Sequence, residues 1–310
     1  MQRSPSLRAT ALSSLLLCVW PTAAIAQTVN PADKQRQEPP ARGLTDVPPQ
    51  RLRSWELPAT VVEAQRLSPL REEDRVGSYG QPRWTAARRF PTTRIYVVPE
   101  GEVEFEYWTR VKTPRKGPST VQTMYEAEFG LPNRFQLDLY WVDEKTGSQG
   151  TLDVVEQKTE VRYAFADWGE IWGNPTIYEE YVSVSNGSDV VESKLLLGDE
   201  LAPSWHWGTN LVWERQLTDE LANVFELTGG VSKTLQDEKL SIGFEAKLEY
   251  ENTHADRDDY AKSLEIGPSL QWRPVPAMHI DIAPLLGINF DAWDLDSRES
   301  DIYFVLGWEF

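Results

Sequence analysis

The sequence predicts an all-β fold, a transmembrane barrel of about 12 antiparallel strands behind a secretory signal and an irregular leader. Three observations predict it. From position 103 onward, apolar and polar residues alternate with a period of two in segment after segment. The apolar face of most of these segments carries no charge, as lipid contact requires. The links also alternate in kind: they are long after odd-numbered segments and mostly tight after even-numbered ones, the loop pattern of outer-membrane barrels.

Composition agrees. The 310 residues include 13 Trp, 11 Tyr and 10 Phe, types that strands and membrane interfaces both favour. Mean hydropathy of −0.47 excludes a helical membrane protein. After the start, no stretch approaches the ~20 apolar residues a spanning helix needs. A barrel escapes that test, because only alternate residues of a strand meet lipid.

Residues 1–26 read as a signal peptide. Arg3 and Arg8 form its positive region, Ala11 to Val19 its apolar region, and Ala24-Ile25-Ala26 a small-x-small cleavage site. Cleavage after Ala26 takes the net charge from −17 to −19. It also removes Cys18, the one cysteine, which excludes zinc–thiolate sites and cysteine nucleophiles from the mature chain.

Residues 27–100 are a Pro- and Arg-rich periplasmic leader, partly disordered. Proline at this density removes backbone donors. Short helices are expected at Ala59–Leu67 and from the Ser68-Pro69 cap to Arg75. The stretch from Gly80 to Pro91 is expected to lie as a strap against the periplasmic rim. The alternative is a plug, or an arm that inserts into an acidic lumen.

The barrel occupies residues 101–310. Its first strand, Glu102 to Lys112, sets Val103, Phe105, Tyr107 and Val111 against Glu102, Glu104, Glu106 and Arg110. The second, Thr120 to Phe129, ends at the turn Gly130-Leu131-Pro132-Asn133. The third, Arg134 to Asp143, sets Phe135, Leu137, Leu139 and Trp141 outward. The fourth ends at Phe165 with Glu160 and Arg162 on its polar face. The fifth, Thr176 to Ser185, alternates poorly, and the sixth is Val190 to Leu197. The seventh carries Trp205, Trp207, Leu211 and Trp213. The eighth, Asn223 to Ser232, is weak. The ninth sets Leu240, Ile242, Phe244, Ala246, Leu248 and Tyr250 against Glu245, Lys247 and Glu249. The tenth and eleventh, Leu264–Arg273 and Ile280–Asn289, carry Pro268 and Pro284 mid-strand, where each removes a ladder bond and calls for a bulge.

The last ten residues, D-I-Y-F-V-L-G-W-E-F, place Ile302, Phe304, Leu306, Trp308 and Phe310 on one face. This stretch resembles the closing strand of Gram-negative outer-membrane β-barrel proteins. The resemblance implies that those five residues are the signal read by the barrel-assembly machinery. The segment Ala166-Asp167-Trp168-Gly169-Glu170, with Gly173-Asn174-Pro175 and Tyr178, resembles the periplasmic turn of the transporter barrels grouped with phenol meta-pathway proteins. Trp168 and Trp172 are expected in the interfacial belt.

The candidate functional residues are a lumen charge cluster: Glu102, Glu104, Glu106, Arg110, Glu126, Glu128, Glu160, Arg162, Glu245, Lys247 and Glu249. Carboxylates in a narrow bore favour cations. Equally, they pair with Arg110, Lys158, Arg162 and Lys247 as a network that fills it. No catalytic residue, cofactor or metal site is expected. His206 and His279 face the lumen, and His254 with Asp256, Asp258 and Asp259 reads as an acidic outer loop. The expected function is a non-enzymatic outer-membrane channel or transporter for small solutes. Expected partners are outer-membrane lipid, lipopolysaccharide, the assembly machinery and an unidentified solute, with no nucleic acid. The alternatives are a secreted glycan-binding β-sandwich using Trp205, Trp207 and Trp213, and an outer-membrane lipid hydrolase relying on His206 or His254.

Overall fold

The computed structural model describes residues 71–114, 116–237, 239–255, 257, 261–289 and 299–310. The signal peptide, the leader up to position 70 and its Ala59–Leu67 helix lie outside the described residues. So do Asp256, Asp258, Asp259 and most of the last long loop.

Two short strands, β1 (Arg75–Val76) and β2 (Gln81–Pro82), form a small hairpin. Twelve longer ones follow: β3 (Val103–Pro114), β4 (Thr120–Leu131), β5 (Phe135–Thr146), β6 (Asp153–Ala164), β7 (Thr176–Val184) and β8 (Val190–Ala202). Then come β9 (Trp205–Gln216), β10 (Asn223–Gln236), β11 (Leu240–Asn252), β12 (Ala261–Val275), β13 (Met278–Asn289) and β14 (Glu299–Glu309). These twelve pair with their sequence neighbours, and β14 closes on β3. Closure satisfies every strand edge, the condition for crossing a membrane as a sheet. It also excludes the sandwich.

The pleat sends alternate side chains to opposite faces. Phe105, Leu139, Trp141, Leu211, Trp213, Phe244, Trp272, Ile302 and Trp308 are exposed on the outside, while their neighbours in sequence are turned inward. Trp205, Trp207 and Trp213, the candidate glycan platform, share one strand of this wall. An exterior of exposed aromatic and aliphatic side chains suits hydrocarbon rather than water.

The prolines behave differently from the expectation. Leu270 pairs with Ile282 and Ile266 with Leu286, so Pro268 and Pro284 stand opposite one another with no shift of register. The ladder is simply interrupted between those pairs. Two residues without N–H groups face each other, so one gap serves both and no bulge is needed.

The chain from Gln81 to Pro99 lies inside the barrel and is buried almost throughout, while most of Arg71–Gly80 is exposed at the short-link end. The helix expected to run to Arg75 is absent there: Arg75 and Val76 pair with Pro82 and Gln81 instead. Phe90 is wholly buried, and Tyr79, Trp84, Ile95, Tyr96 and Val97 pack with it into one apolar cluster against the wall. The wall is moulded to receive them. A Cβ at Gly230 would sit 2.6 Å from the Phe90 ring, and one at Gly198 would sit 2.5 Å from Ile95. The rim strap expected for Gly80–Pro91 is therefore corrected to an inserted plug. The charges on its arginines and on the wall explain why: each set is left uncompensated without the other.

The facing of the strands is testable. Leu139→Arg puts a charge on the outer face and should cost about 2–4 kcal/mol at mid-bilayer depth. Its heat-modifiable folded band should be lost or reduced after refolding into lipid vesicles. Glu214→Arg, on the inner face, should retain that band. Equal loss in both variants would contradict the assigned faces.

Candidate functional site: the plugged lumen

The short links lie at the end of the barrel where β3 begins and β14 stops, and the plug enters from that end. The Glu72 amide donates to Asp237 in the β10–β11 turn at 2.9 Å, and the Trp84 indole donates to Glu200 at 3.1 Å. Arg83 and Arg273 both bind Glu309, one residue from the end of the chain. The chain then climbs to mid-barrel, where the Thr92 amide donates to Glu245 at 2.9 Å and Thr93 bonds Thr228 at 3.1 Å. It descends through Arg94, whose amide donates to Asn210 at 2.9 Å, and Val98, whose amide donates to Gln136 at 2.7 Å. The long β6–β7 link, unusual for its side, serves as a shelf. Its Trp168 amide donates to the Tyr79 carbonyl at 3.0 Å, and Tyr96 donates to the Ala166 carbonyl at 2.6 Å. Trp168 stacks edge-on against Trp84 and Tyr96, so it belongs to the plug contact and not to the interfacial belt. Trp172 remains exposed.

The charge cluster read from the sequence is largely inside this contact. Glu104, Glu106, Glu126, Glu128, Glu160, Arg162 and Glu245 are fully buried. Glu102 is half-buried just before β3. Arg88 of the plug reaches Glu106 at 2.7 Å and Glu126 at 3.1 Å, and lies 4.0 Å over the Trp108 ring. Arg94 binds Glu126 and also Glu128, the latter at 3.1 Å. Arg162 of β6 binds Glu160 and reaches Asp138 at 2.8 Å. Buried ions need partners, because isolated burial of a carboxylate is prohibitive. Of the two readings of the cluster, the filled network describes this part of the bore. Of the cations that complete it, Arg88 lies within the Gly80–Pro91 stretch expected as a strap or an inserted plug, and Arg94 lies beyond it. The signal was present: Arg83, Arg88, Arg89 and Arg94 crowd a short stretch that precedes acid-rich strands.

Toward the long-loop end the described residues leave open space in the bore. A cavity of about 580 Å³ lies toward the long-loop end, lined by Glu192, Glu214, Glu226, Glu249, Glu251 and Glu265 with Arg110, Lys112, Lys158, Lys247 and Lys262. Lys247 bridges Glu226 at 2.7 Å and Glu249 at 3.1 Å, and Arg110 binds Asp301. A smaller cavity of about 160 Å³ lies beneath it, bounded by Arg88, Pro91, Thr92 and Arg94 of the plug and by Trp108, Tyr140 and Tyr178. Both cavities touch Lys158 and Glu192. A path from the long-loop end therefore ends on the plug.

The histidines do not assemble one catalytic site. His206 is wholly buried near the short-link end, beside Arg89 and 4.3 Å from the Trp84 ring. His254 lies in a loop at the opposite end, bonded to Arg257 at 3.0 Å. His279 is buried between Glu104 and Asp281.

No family model and no curated protein matches this chain. Among solved structures, it is similar to the NanC porin, with 13% identity over 66% of this chain and 98% of that one and a TM-score of 0.47. It is also similar to the KdgM porin, with 14% identity over 67% and 99% and a TM-score of 0.42. A crystal structure of an outer membrane channel from Pseudomonas putida F1 gives 8% identity over 70% and 98%, with a TM-score of 0.48.

The plug contact makes a prediction. Arg88→Ala leaves Glu106 and Glu126 buried beside one cation fewer, a loss of roughly 3–5 kcal/mol for a broken buried pair. Limited trypsin digestion of the folded variant should cut after Arg83, Arg89 or Arg94, sites the wild type shields. Unchanged resistance would show that Arg88 does not hold the plug.

Proposed function

We propose that this protein is an outer-membrane channel or transporter for small solutes, non-enzymatic and held shut in this conformation by its own residues 71–100. One observation carries the reading. A charged cavity of about 580 Å³ lies inside a closed barrel whose outer face is apolar, and it adjoins at Lys158 and Glu192 a smaller one of about 160 Å³ that is bounded by a segment held mainly through side chains. A barrel of twelve strands is wide enough to hold either a packed interior or a water path, and here a packed region and an open cavity are both present. The plug is tethered to the wall by ion pairs and hydrogen bonds rather than by ladder pairing with the barrel strands, so it can leave without opening the sheet. The signal-like N-terminus and the outward aromatic face agree with an outer-membrane setting, where lipid and lipopolysaccharide meet the wall. Ile302, Phe304, Leu306, Trp308 and Phe310 then serve as the assembly signal. The solute reaches the plug through a vestibule with carboxylates in slight excess over cations, a composition that favours cationic solutes.

A disulfide lock tests this. Thr93 and Thr228 approach within 3.1 Å through their hydroxyls. The mature Thr93→Cys/Thr228→Cys protein should show no single-channel conductance in planar bilayers when oxidised. Reduction should restore openings, and Arg88→Ala/Arg94→Ala should open more often than wild type. No conductance in any of these proteins, each shown to be folded, would remove the channel reading.

A further inference from the structure

We propose that Glu104, Glu106 and His279 form a site for one divalent transition-metal cation, and that Asp281 orients the histidine. This inference does not depend on whether the barrel conducts.

The geometry is that of a ligand set with its supporting group. All four residues are fully buried. His279 Nδ1 bonds Asp281 Oδ2, while Nε2 bonds Glu104 and lies 3.5 Å from Glu106 Oε1. One ligand atom from each of Glu104, Glu106 and His279 falls within 4.8 Å of the others. With its proton on Nδ1 and directed at Asp281, the imidazole would turn its Nε2 lone pair toward the two carboxylates, an arrangement stable only with a cation between them; without a metal, a second proton on Nε2 supplies that charge and makes the bond to Glu104. A carboxylate on the far nitrogen is also the arrangement that fixes the tautomer of metal-bound histidines.

Two further observations point the same way. The first is charge. Glu104, Glu106 and Asp281 are three buried carboxylates, and the two guanidiniums that reach Glu106, Arg88 at 2.7 Å and Arg94 at 3.9 Å, also serve Glu126 and Glu128. Asp281 Oδ1, buried in the same group, has no hydrogen-bond partner among the described residues. The second is space. His279, Gly307 and Glu106 lie in one cross-strand row over β13, β14 and β3. A Cβ at Gly307 would fall 1.8 Å from His279 Nε2. The missing side chain lets the imidazole reach across β14 to the carboxylates of β3. A cation held there would clamp β13 to β3 over the closing strand, at the seam where the barrel's first and last strands meet.

One imidazole and two carboxylates suit Zn²⁺ or Mn²⁺ better than Ca²⁺, which prefers an all-oxygen shell. The test uses the untagged mature protein, refolded in detergent, stripped with chelator and incubated with Zn²⁺ or Mn²⁺. Elemental analysis after gel filtration should find one equivalent per chain, with a raised unfolding temperature. His279→Ala should lose that equivalent. Asp281→Asn should bind 10–100-fold more weakly, the usual effect of removing such a support. Glu104→Gln, which preserves shape and hydrogen bonding, covers the case in which His279→Ala fails to fold. Its heat-modifiable band reports folding, and it too should lose the metal. No stoichiometric metal in the wild type would overturn the proposal. Full retention of metal in folded His279→Ala or Glu104→Gln would also overturn it.

Discussion

A charge turned into a membrane barrel has few places to find a partner, and this constraint shapes the whole molecule. The wall's outer face is apolar over most strands, and most charged side chains of the strands point inward, with Asp143, Glu179 and Lys233 among the exceptions. Inside, carboxylates outnumber the wall's own cations over β3, β4 and β5. The deficit is met by Arg88 and Arg94, which belong to the segment ahead of the barrel and not to the barrel itself. The plug and the wall are therefore one electrostatic unit. Removing either leaves ions buried without compensation.

Shape follows the same logic. The apolar face of the plug, with Phe90, Ile95 and Tyr96, fits where the wall has glycine in place of a side chain. The long β6–β7 link places its backbone and Trp168 beneath the plug, on a side where every other link is short. Hydrogen bonds from the plug's amides end on wall side chains such as Glu245, Asn210 and Gln136. Such contacts position an irregular chain firmly and still leave the ladder of the barrel independent of it.

The wall was legible because lipid imposes a strict rule on every second residue. All twelve barrel strands fall where the alternation places them, and the ends differ by a few residues. β7 was hard to register because its outer face carries Glu179, which accepts from Ser193 on the neighbouring strand at 2.6 Å. β10 was weak because Gly229 and Gly230 interrupt its pattern. The plug was legible only as the alternative to a rim strap, and nothing in the sequence decided between them. Period-two alternation marks an inward residue as polar but does not say whether it meets water or arginine. Proline density in the leader argued correctly against regular structure, yet an irregular chain can still be tightly packed. Inward glycines opposite an aromatic, and arginines opposite acids, are a correspondence between distant segments that no local pattern displays.

The most direct measurement is amide hydrogen exchange, by mass spectrometry, of the mature protein in lipid nanodiscs. If residues 81–99 form the interior of the barrel, peptides containing Thr92, Arg94 and Val98 should exchange as slowly as those from β4 and β5. Exchange at the rate of an unstructured chain throughout this segment, beside a protected barrel, would contradict the account.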